Sequence, residues 1–381
     1  SGASILAYCV VLALLYRVLL AVYNVTLHPL ARIPGPKLAG MTALYQMFWC
    51  YHNGRSIYYR KIKEMHDQFG PVVRISPHEV SLQDPEDCQK IYAAHSNYSK
   101  DTAFYQTMGI EHGMFGSRDN VQHRRLRAPW QPFFSHKAIR KLDGMIQSKV
   151  DLLCTRLELQ LRQKDAASIQ RLLHALSSDI VSHAAAVDGS LRALDDEFPD
   201  GRHRSLVEIM AATHLPRKTL EPSIITRDVL VDELHSLTVA GSFNTGSIGA
   251  TILFYILTNG DIHRRVLQEL DSLQGNITHA RVEKLPYMAA CIKEGLRLGY
   301  GPIGRLPRVV PEPGAIFQGH RIPAGYTVGA SSYVQHHNPD IWGEDHASFN
   351  PDRWLDPARD KRLGRHLLTF GKDSRRCIGQ R

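Results

Sequence analysis

One cysteine near the end of the chain narrows the possible folds more than any other feature. It lies in Phe370-Gly371-Lys372-Asp373-Ser374-Arg375-Arg376-Cys377-Ile378-Gly379, two residues after one arginine and two before a glycine. A thiolate that serves as a ligand needs positive charge and N–H donors beside it, and glycines let the backbone pass close to a flat group. The competing reading of an isolated cysteine is a buried thiol beside a turn. Phe370, Arg375, Cys377 and Gly379 at fixed spacing weigh against it. The six cysteines are dispersed and form no Cys-x-x-Cys pair, so no disulfide framework is expected and the compartment is read as reducing.

With 381 residues, 43% hydrophobic and 22% charged, the chain has the makings of one large or two small globular domains. Its 46 Lys+Arg against 37 Asp+Glu give a charge of +9, which suits an anionic membrane surface, an acidic protein partner or nucleic acid. The basic residues fall in scattered clusters such as 123–127 and 361–365, without an aromatic-basic repeat or finger spacing. No nucleic-acid partner is therefore expected.

An apolar run from Ala3 to Val22 is about long enough to cross a bilayer as one helix. Arg17 interrupts it near one end, where its side chain can snorkel. No small-residue cleavage site follows before Asn24, which disfavours a cleaved signal. Next come Pro34-Gly35-Pro36, which cannot continue a helix and should stiffen the exit into the globular part.

Further on, the apolar spacing of residues 56–69 predicts a helix. Segments 71–76 and 79–82 predict a hairpin, and Pro85-Glu86-Asp87 a helix start with acids in its first turn. Residues 138–187 read as helical and 195–204 as a loop. Asp228 to Leu257 predicts one long buried helix with small residues at its middle. Asn259-Gly260 predicts a helix break, followed by helices to about Leu273 and from Leu285. Glu294 and Arg297, three apart, share a helical face. Segments 304–310 and 318–328 predict strands, and His336-His337 a polar loop.

The cysteine stretch resembles the haem-binding loop of the cytochrome P450 family, Phe-x-x-Gly-x-Arg-x-Cys-x-Gly, with Asp373 where the family usually has glycine. Asp373 would have to tolerate left-handed geometry there. Other motifs follow in the family's order. His123 and Arg127 stand where its Trp-x-x-x-Arg pair meets a haem propionate, and Arg308 would meet one too. Ala240, Gly241 and Thr245 match the dioxygen-binding stretch of its central helix. In that stretch Phe243 replaces the usual acid and Asn244 the first threonine, so the customary proton relay is not intact. Glu294, Arg297 and Arg353 match the Glu-x-x-Arg and Pro-x-Arg elements that hold the fold. Residues 28–31 and 304–308 have a filamentous-fungal flavour.

The resemblance implies a mainly α fold with a small β region and one N-terminal transmembrane helix. It further implies a shortened substrate lid and truncation after the cysteine loop. The expected organisation is an anchor over 1–25, a proline-rich hinge over 26–40 and a haem domain over 41–381. Cys377 would be the axial thiolate, with Phe370, Gly371, Arg375 and Gly379 shaping the haem loop. Ala240, Gly241, Asn244 and Thr245 would form the catalytic stretch. Electrons would come from NADPH through a cytochrome P450 reductase. The enzyme would sit in the endoplasmic reticulum membrane, facing the cytoplasm, and insert one oxygen atom from O2 into an apolar terpenoid or other secondary metabolite. The altered relay leaves two alternatives. One is a haem-thiolate isomerase, dehydratase or peroxide-driven enzyme, and the other a non-catalytic haem-binding remnant.

Overall fold

Two units divide the chain, one made of Ser1–Asp101, Ile303–His346 and His366–Arg375, the other of Thr102–Pro302, Ala347–Arg365 and Arg376–Arg381. The computed structural model describes residues 2–52, 56–93, 96–163, 166–186, 226–301 and 303–380. The loop expected over 195–204 lies outside the described residues.

In the first unit, the apolar run forms helix α1 (Gly2–Thr26), whose side chains are exposed along its length apart from those at its C-terminal end. That end is fastened. The Asn24 amide donates to Met41 O at 3.0 Å, and Arg74 donates to Asn24 O at 2.7 Å and to Pro77 O at 2.9 Å. His28, beside the same guanidinium, is held at about 4 by burial first and the Arg74 charge second, so it stays neutral. Helix α2 (Leu44–Tyr51) packs Tyr45, Trp49 and Cys50 inward and leaves Leu44, Met47, Phe48 and Tyr51 exposed, an apolar stripe on its outer face. Helix α3 (Tyr58–Phe69) buries Tyr58, Ile62 and Met65 against the sheet, as the apolar spacing predicts. Helix α4 (Pro85–Tyr92) starts where expected. Asp84 caps it by accepting from the Glu86 and Asp87 amides.

All seven strands among the described residues belong to this unit. They are β1 (Val72–Arg74), β2 (Glu79–Leu82), β3 (Ser99–Lys100), β4 (Arg308–Val309), β5 (Ala315–Phe317), β6 (His320–Ile322) and β7 (Thr327–Gly329). Five of them order β1-β2-β7-β4-β3, with β2 and β7 parallel and the other pairs antiparallel. The expected hairpin is β1–β2, with Val72 opposite Leu82. β5 and β6 form a separate hairpin, of which the sequence showed only the second strand. His336 is not in a polar loop. It is fully buried in a short helix, Ser332–His336, and its Nε2 accepts from the Leu368 amide at 2.9 Å.

The second unit is helical. Its principal helices are α5 (Asn120–Arg127), α6 (Asp143–Arg162), α7 (Ile169–Ala186), α8 (Arg227–Val239), α9 (Thr245–Thr258), α10 (Gly260–Asp271), α11 (Pro286–Leu298) and α12 (Pro357–Gly364). Asn259 does end α9, and the same side chain caps α10 by accepting from the Asp261 and Ile262 amides. The chain is thus mainly α with a small β region, as the sequence leads one to expect.

Glu294 on α11 is the polar centre of this unit and is completely buried. Arg297 donates to both its oxygens, at 2.6 and 3.0 Å. Arg353 and the Asn350 amide each add a bond at 3.0 Å, and the Trp354 indole a fifth at 2.8 Å. A buried carboxylate is tolerable when its charge is paired and its lone pairs are all used. Trp354 completes the set, and no spacing rule pointed to it.

Candidate functional site

In the second unit, Asp119 caps α5 by accepting from the Val121 and Gln122 amides. The helix so started carries His123 and Arg127 one turn apart, the first buried and the second half-buried. Arg127 donates one N–H to Arg376 O at 2.7 Å, and its charge acts on Cys377. The Gly379 amide lies beside the Cys377 sulfur and favours its charged form. Protein crowding around the sulfur pushes the thiol up from its ordinary value. The Gly379 amide and the Arg127 charge pull the other way. A side chain at Gly379 would lie 3.9 Å from that sulfur and 4.0 Å from the Phe134 ring.

Ile378, the neighbour of the cysteine, packs into a cluster built on Leu126, Trp130 and Val229, with Met114, Phe133, Phe134 and Leu237 around it. The Trp130 indole N–H in this cluster is buried and has no hydrogen-bond partner among the described residues.

Between α8 and α9 the central helix departs from the sequence reading. Instead of one unbroken α-helix it makes a wide π turn over Ala240–Asn244. An inserted residue frees carbonyls from the helical ladder, and such turns occur often at functional sites. Two side chains bond main-chain oxygens here: Asn244 donates to Ala240 O at 3.2 Å, and Ser177 of α7 donates to Ser242 O at 2.6 Å. Helix α7 lies close along this stretch. A Cβ at Gly241 would come within 2.7 Å of Val181, and one at Gly246 within 2.8 Å of the His174 backbone. His174 also hydrogen-bonds Ser247 at 2.9 Å and tilts against the Phe243 ring at 5.1 Å. Ala240, Phe243 and Thr245 are exposed.

The remaining candidates belong to the first unit. The Gly371 amide donates to Leu368 O at 2.9 Å, and Gly371 has φ +68°. Asp373 has φ +48°, the left-handed geometry that its place in the motif demands. Phe370 and Arg375 are half-buried. Arg308, on β4, is buried. It donates to Pro307 O at 3.0 Å and lies 5.1 Å from the Tyr92 ring centre. Cys377, Gly379, His123, Arg127 and the stretch 240–245 thus belong to one unit, and Phe370, Gly371, Arg375 and Arg308 to the other. The cysteine loop passes from one to the other between Arg375 and Arg376. The sequence reading missed Ser177 altogether, because its partner is a main-chain carbonyl and leaves no side-chain signature.

The donor set around Cys377 fits a haem thiolate. A backbone amide and a cation already face the sulfur, as an anionic ligand requires. Among the described residues Arg127 uses a single hydrogen bond, which leaves N–H donors for a propionate.

Comparison with known proteins agrees. The family model described as Cytochrome P450 matches residues 185–381. The chain is 31% identical to conidiogenone synthase of Penicillium rubens, with 94% of this chain and 85% of that protein aligned. It is 28% identical to the fusicoccadiene C-8 hydroxylase of Alternaria brassicicola, over 99% and 86% of the two chains. With the N-acetyltryptophan 6-hydroxylase of Emericella nidulans the identity is 29%, over 98% and 86%. The three alignments extend over 424, 462 and 445 positions, more than the 381 residues of this chain, so the relatives carry residues that it lacks.

Proposed function

This chain belongs to the cytochrome P450 family, a family of haem-thiolate monooxygenases, and on that premise we propose that it inserts one oxygen atom from O2 into an apolar small molecule, a terpenoid or other secondary metabolite. The observation that carries this reading is the Cys377 sulfur, faced by the Gly379 amide and the Arg127 charge on a loop of matching pattern. One relative is named for hydroxylating fusicoccadiene and another for hydroxylating N-acetyltryptophan, so kinship favours a reaction more than a substrate.

Cys377 would bind the haem iron, and Arg127, His123 and Arg308 would hold its propionates. Phe370, Gly371, Arg375 and Gly379 would shape the loop around the thiolate. Haem so held would supply dioxygen activation. The chain's own residues do the rest. Gly379 and Arg127 stabilise negative charge on the sulfur, and Ile378 beside it packs into the apolar cluster of Leu126, Trp130 and Val229. Asn244 fixes the Ala240 carbonyl at the π turn and offers an amide where a hydroxyl is usual. Ala240, Gly241 and Thr245 would line the space that dioxygen enters.

Residues 1–25 would anchor the protein in the endoplasmic reticulum membrane, 26–40 act as a hinge and 41–381 form the haem domain facing the cytoplasm. Two observations support the anchoring. The apolar side chains of α1 are exposed along the helix, and the outer stripe Leu44, Met47, Phe48 and Tyr51 follows it closely in the chain. Electrons would arrive from NADPH through an acidic face of a reductase, met by the exposed Arg124, Arg125 and Arg376. Phe243 and Asn244 at the relay positions favour a second reading, a haem-thiolate isomerase, dehydratase or peroxide-driven enzyme; turnover that depends on the reductase separates the two.

The test is the carbon monoxide difference spectrum of the reduced protein, with Cys377→Ala as control. A red-shifted thiolate Soret band in the native protein, lost in the variant, is expected. A native protein without that band would refute the haem-thiolate reading.

A further inference from the structure

The residue that receives the end of α1 is a buried arginine with no carboxylate for a partner. Arg74, on β1, is 4% exposed, makes no ion pair among the described residues, and has no carboxylate among the groups that act on its charge. No Asp or Glu precedes Glu64 in the chain, so α1 and the segment after it offer none. Burying a guanidinium is costly unless its charge is offset and its donors are bonded. Here the offset comes from the end of a helix. α1 stops at Thr26 and has no basic residue in its own last turn, so its last carbonyls keep their partial negative charge. One of them, Asn24 O, accepts from Arg74 Nη1 at 2.7 Å, across 50 residues of chain. Nη2 donates to Pro77 O at 2.9 Å and to His28 Nδ1 at 3.2 Å. The same His28 nitrogen accepts from the Leu30 amide at 3.1 Å, which ties the first turn after α1 to the guanidinium.

The rest of the segment is laid against the same residue. The Arg74 amide donates to Pro34 O at 2.7 Å. A Cβ at Gly35 would fall 2.5 Å from Arg74 O, and one at Gly40 would fall 3.1 Å from Arg74 Nη1. Two glycines thus let the chain lie this close. The Asn24 amide closes the corner on Met41 O, at the end of the short helix Lys37–Met41. Around the His28 imidazole stand the rings of His78 and Tyr326, each at 5.3 Å, and of Tyr23 at 5.9 Å.

We infer that Arg74 is a positioning residue that locks the hinge of residues 26–40, so that α1 and the sheet-bearing unit meet the bilayer as one rigid body. This rests on the membrane reading of α1 above. Pro34 and Pro36 each fix one torsion, which does not set the direction in which α1 leaves. That direction is set by bonds between the helix end and a strand. A free tether would leave the angle to thermal motion, whereas the lock makes it a property of the fold. Lysine could bring a charge to the helix end but could not fork to Asn24, Pro77 and His28 together.

The test places the full chain in lipid nanodiscs, with nitroxides attached through a ketone-bearing amino acid at exposed positions 19 and 321, which spares the native cysteines. Electron-spin distances between the two should form a single narrow distribution in the native protein. Arg74→Gln should widen it about twofold, as expected of a freed linker. The same variant should quicken exchange of the residue 30 and residue 74 amides about tenfold, while exchange over 58–69 stays unchanged. Arg74→Lys should fall between. Gly40→Val leaves Arg74 in place but crowds its guanidinium, so it should widen the distribution too; it decides the matter if Arg74→Gln loosens 58–69. A broad distribution in the native protein, or a narrow one in both Arg74→Gln and Gly40→Val, would overturn the lock. The nitroxide at 19 should be relaxed more by oxygen, which enters lipid, than by a water-soluble nickel chelate. The reverse would refute the membrane reading of α1, and the distance widths would still decide the lock.

Discussion

Two places in the helical unit solve opposite problems: the Glu294 centre and the π turn at Ala240–Asn244. At Glu294 the hydrogen bonding is complete, with five donors from four residues on two stretches of chain around one carboxylate. At the π turn the main-chain ladder is widened, and single side chains, Asn244 and Ser177, each add a hydrogen bond to one carbonyl. The first arrangement depends on charge and tolerates no missing member. The second depends on close helix packing and neutral hydrogen bonds, so it yields in smaller steps. A site that must change its bonding during function is better placed on the second kind of support.

The comparison breaks most sharply at Glu294→Gln. The variant would leave Arg297 and Arg353, both almost fully buried, facing a neutral amide whose own NH2 points at donors. Removing one member of a buried pair costs about 3–5 kcal/mol, enough to unfold a marginally stable protein. Circular dichroism melting of the variant should show a collapsed or absent transition. A melt within a few degrees of the native one would mean that the guanidiniums find water or other partners.

Gly246→Ala comes next. Its Cβ would meet main-chain atoms of His174, which cannot swing aside as a side chain would. Helix α7 would have to shift, at about 1–3 kcal/mol by the usual cost of overpacking. Thermal melting reads this effect too. An unshifted midpoint would show that α7 and α9 have slack where the structure shows none.

What the sequence revealed of these two places differs for a physical reason. Glu294 and Arg297 stand three apart on a helix, a spacing that survives in the letters, and Arg353 follows a recognisable proline turn. Trp354 could not be found that way, because an indole donor serves equally well in any apolar core. The cysteine loop was legible down to Asp373, since a non-glycine residue at a left-handed position leaves few choices. The π turn was not. An extra residue in a helix changes no composition, and its trace is the uneven spacing of Gly241, Gly246 and Gly249, five and then three, all turned toward α7. Strands of two or three residues, such as β3 opposite β4, are likewise set by a distant partner and carry no period of their own.

A smaller effect is expected at Ser177→Ala. The Ser242 carbonyl would lose its hydroxyl donor but keep the Thr245 amide, so the cost should fall near 0.5–1.5 kcal/mol. Faster amide exchange confined to 240–246 would mark the π turn as the affected part. A uniform increase along α7 and α9 would instead show that Ser177 supports packing in general.

Asn244→Thr should change stability least. Thr238, Thr251 and Thr258 in the same helical run each donate a hydroxyl to the carbonyl four residues back, at 2.8, 3.0 and 2.6 Å. A threonine at 244 can do the same toward Ala240 O, so melting should move by a few tenths of a kcal/mol at most. The chemistry is another matter, because a hydroxyl both accepts and passes on a proton, whereas the Asn244 amide donates without releasing one readily. If Asn244 limits proton delivery, the variant should raise the fraction of NADPH electrons that end in product. Equal coupling in the two proteins would mean that the π turn needs only a bond at Ala240 O, and that protons reach the site by a route that does not pass through residue 244.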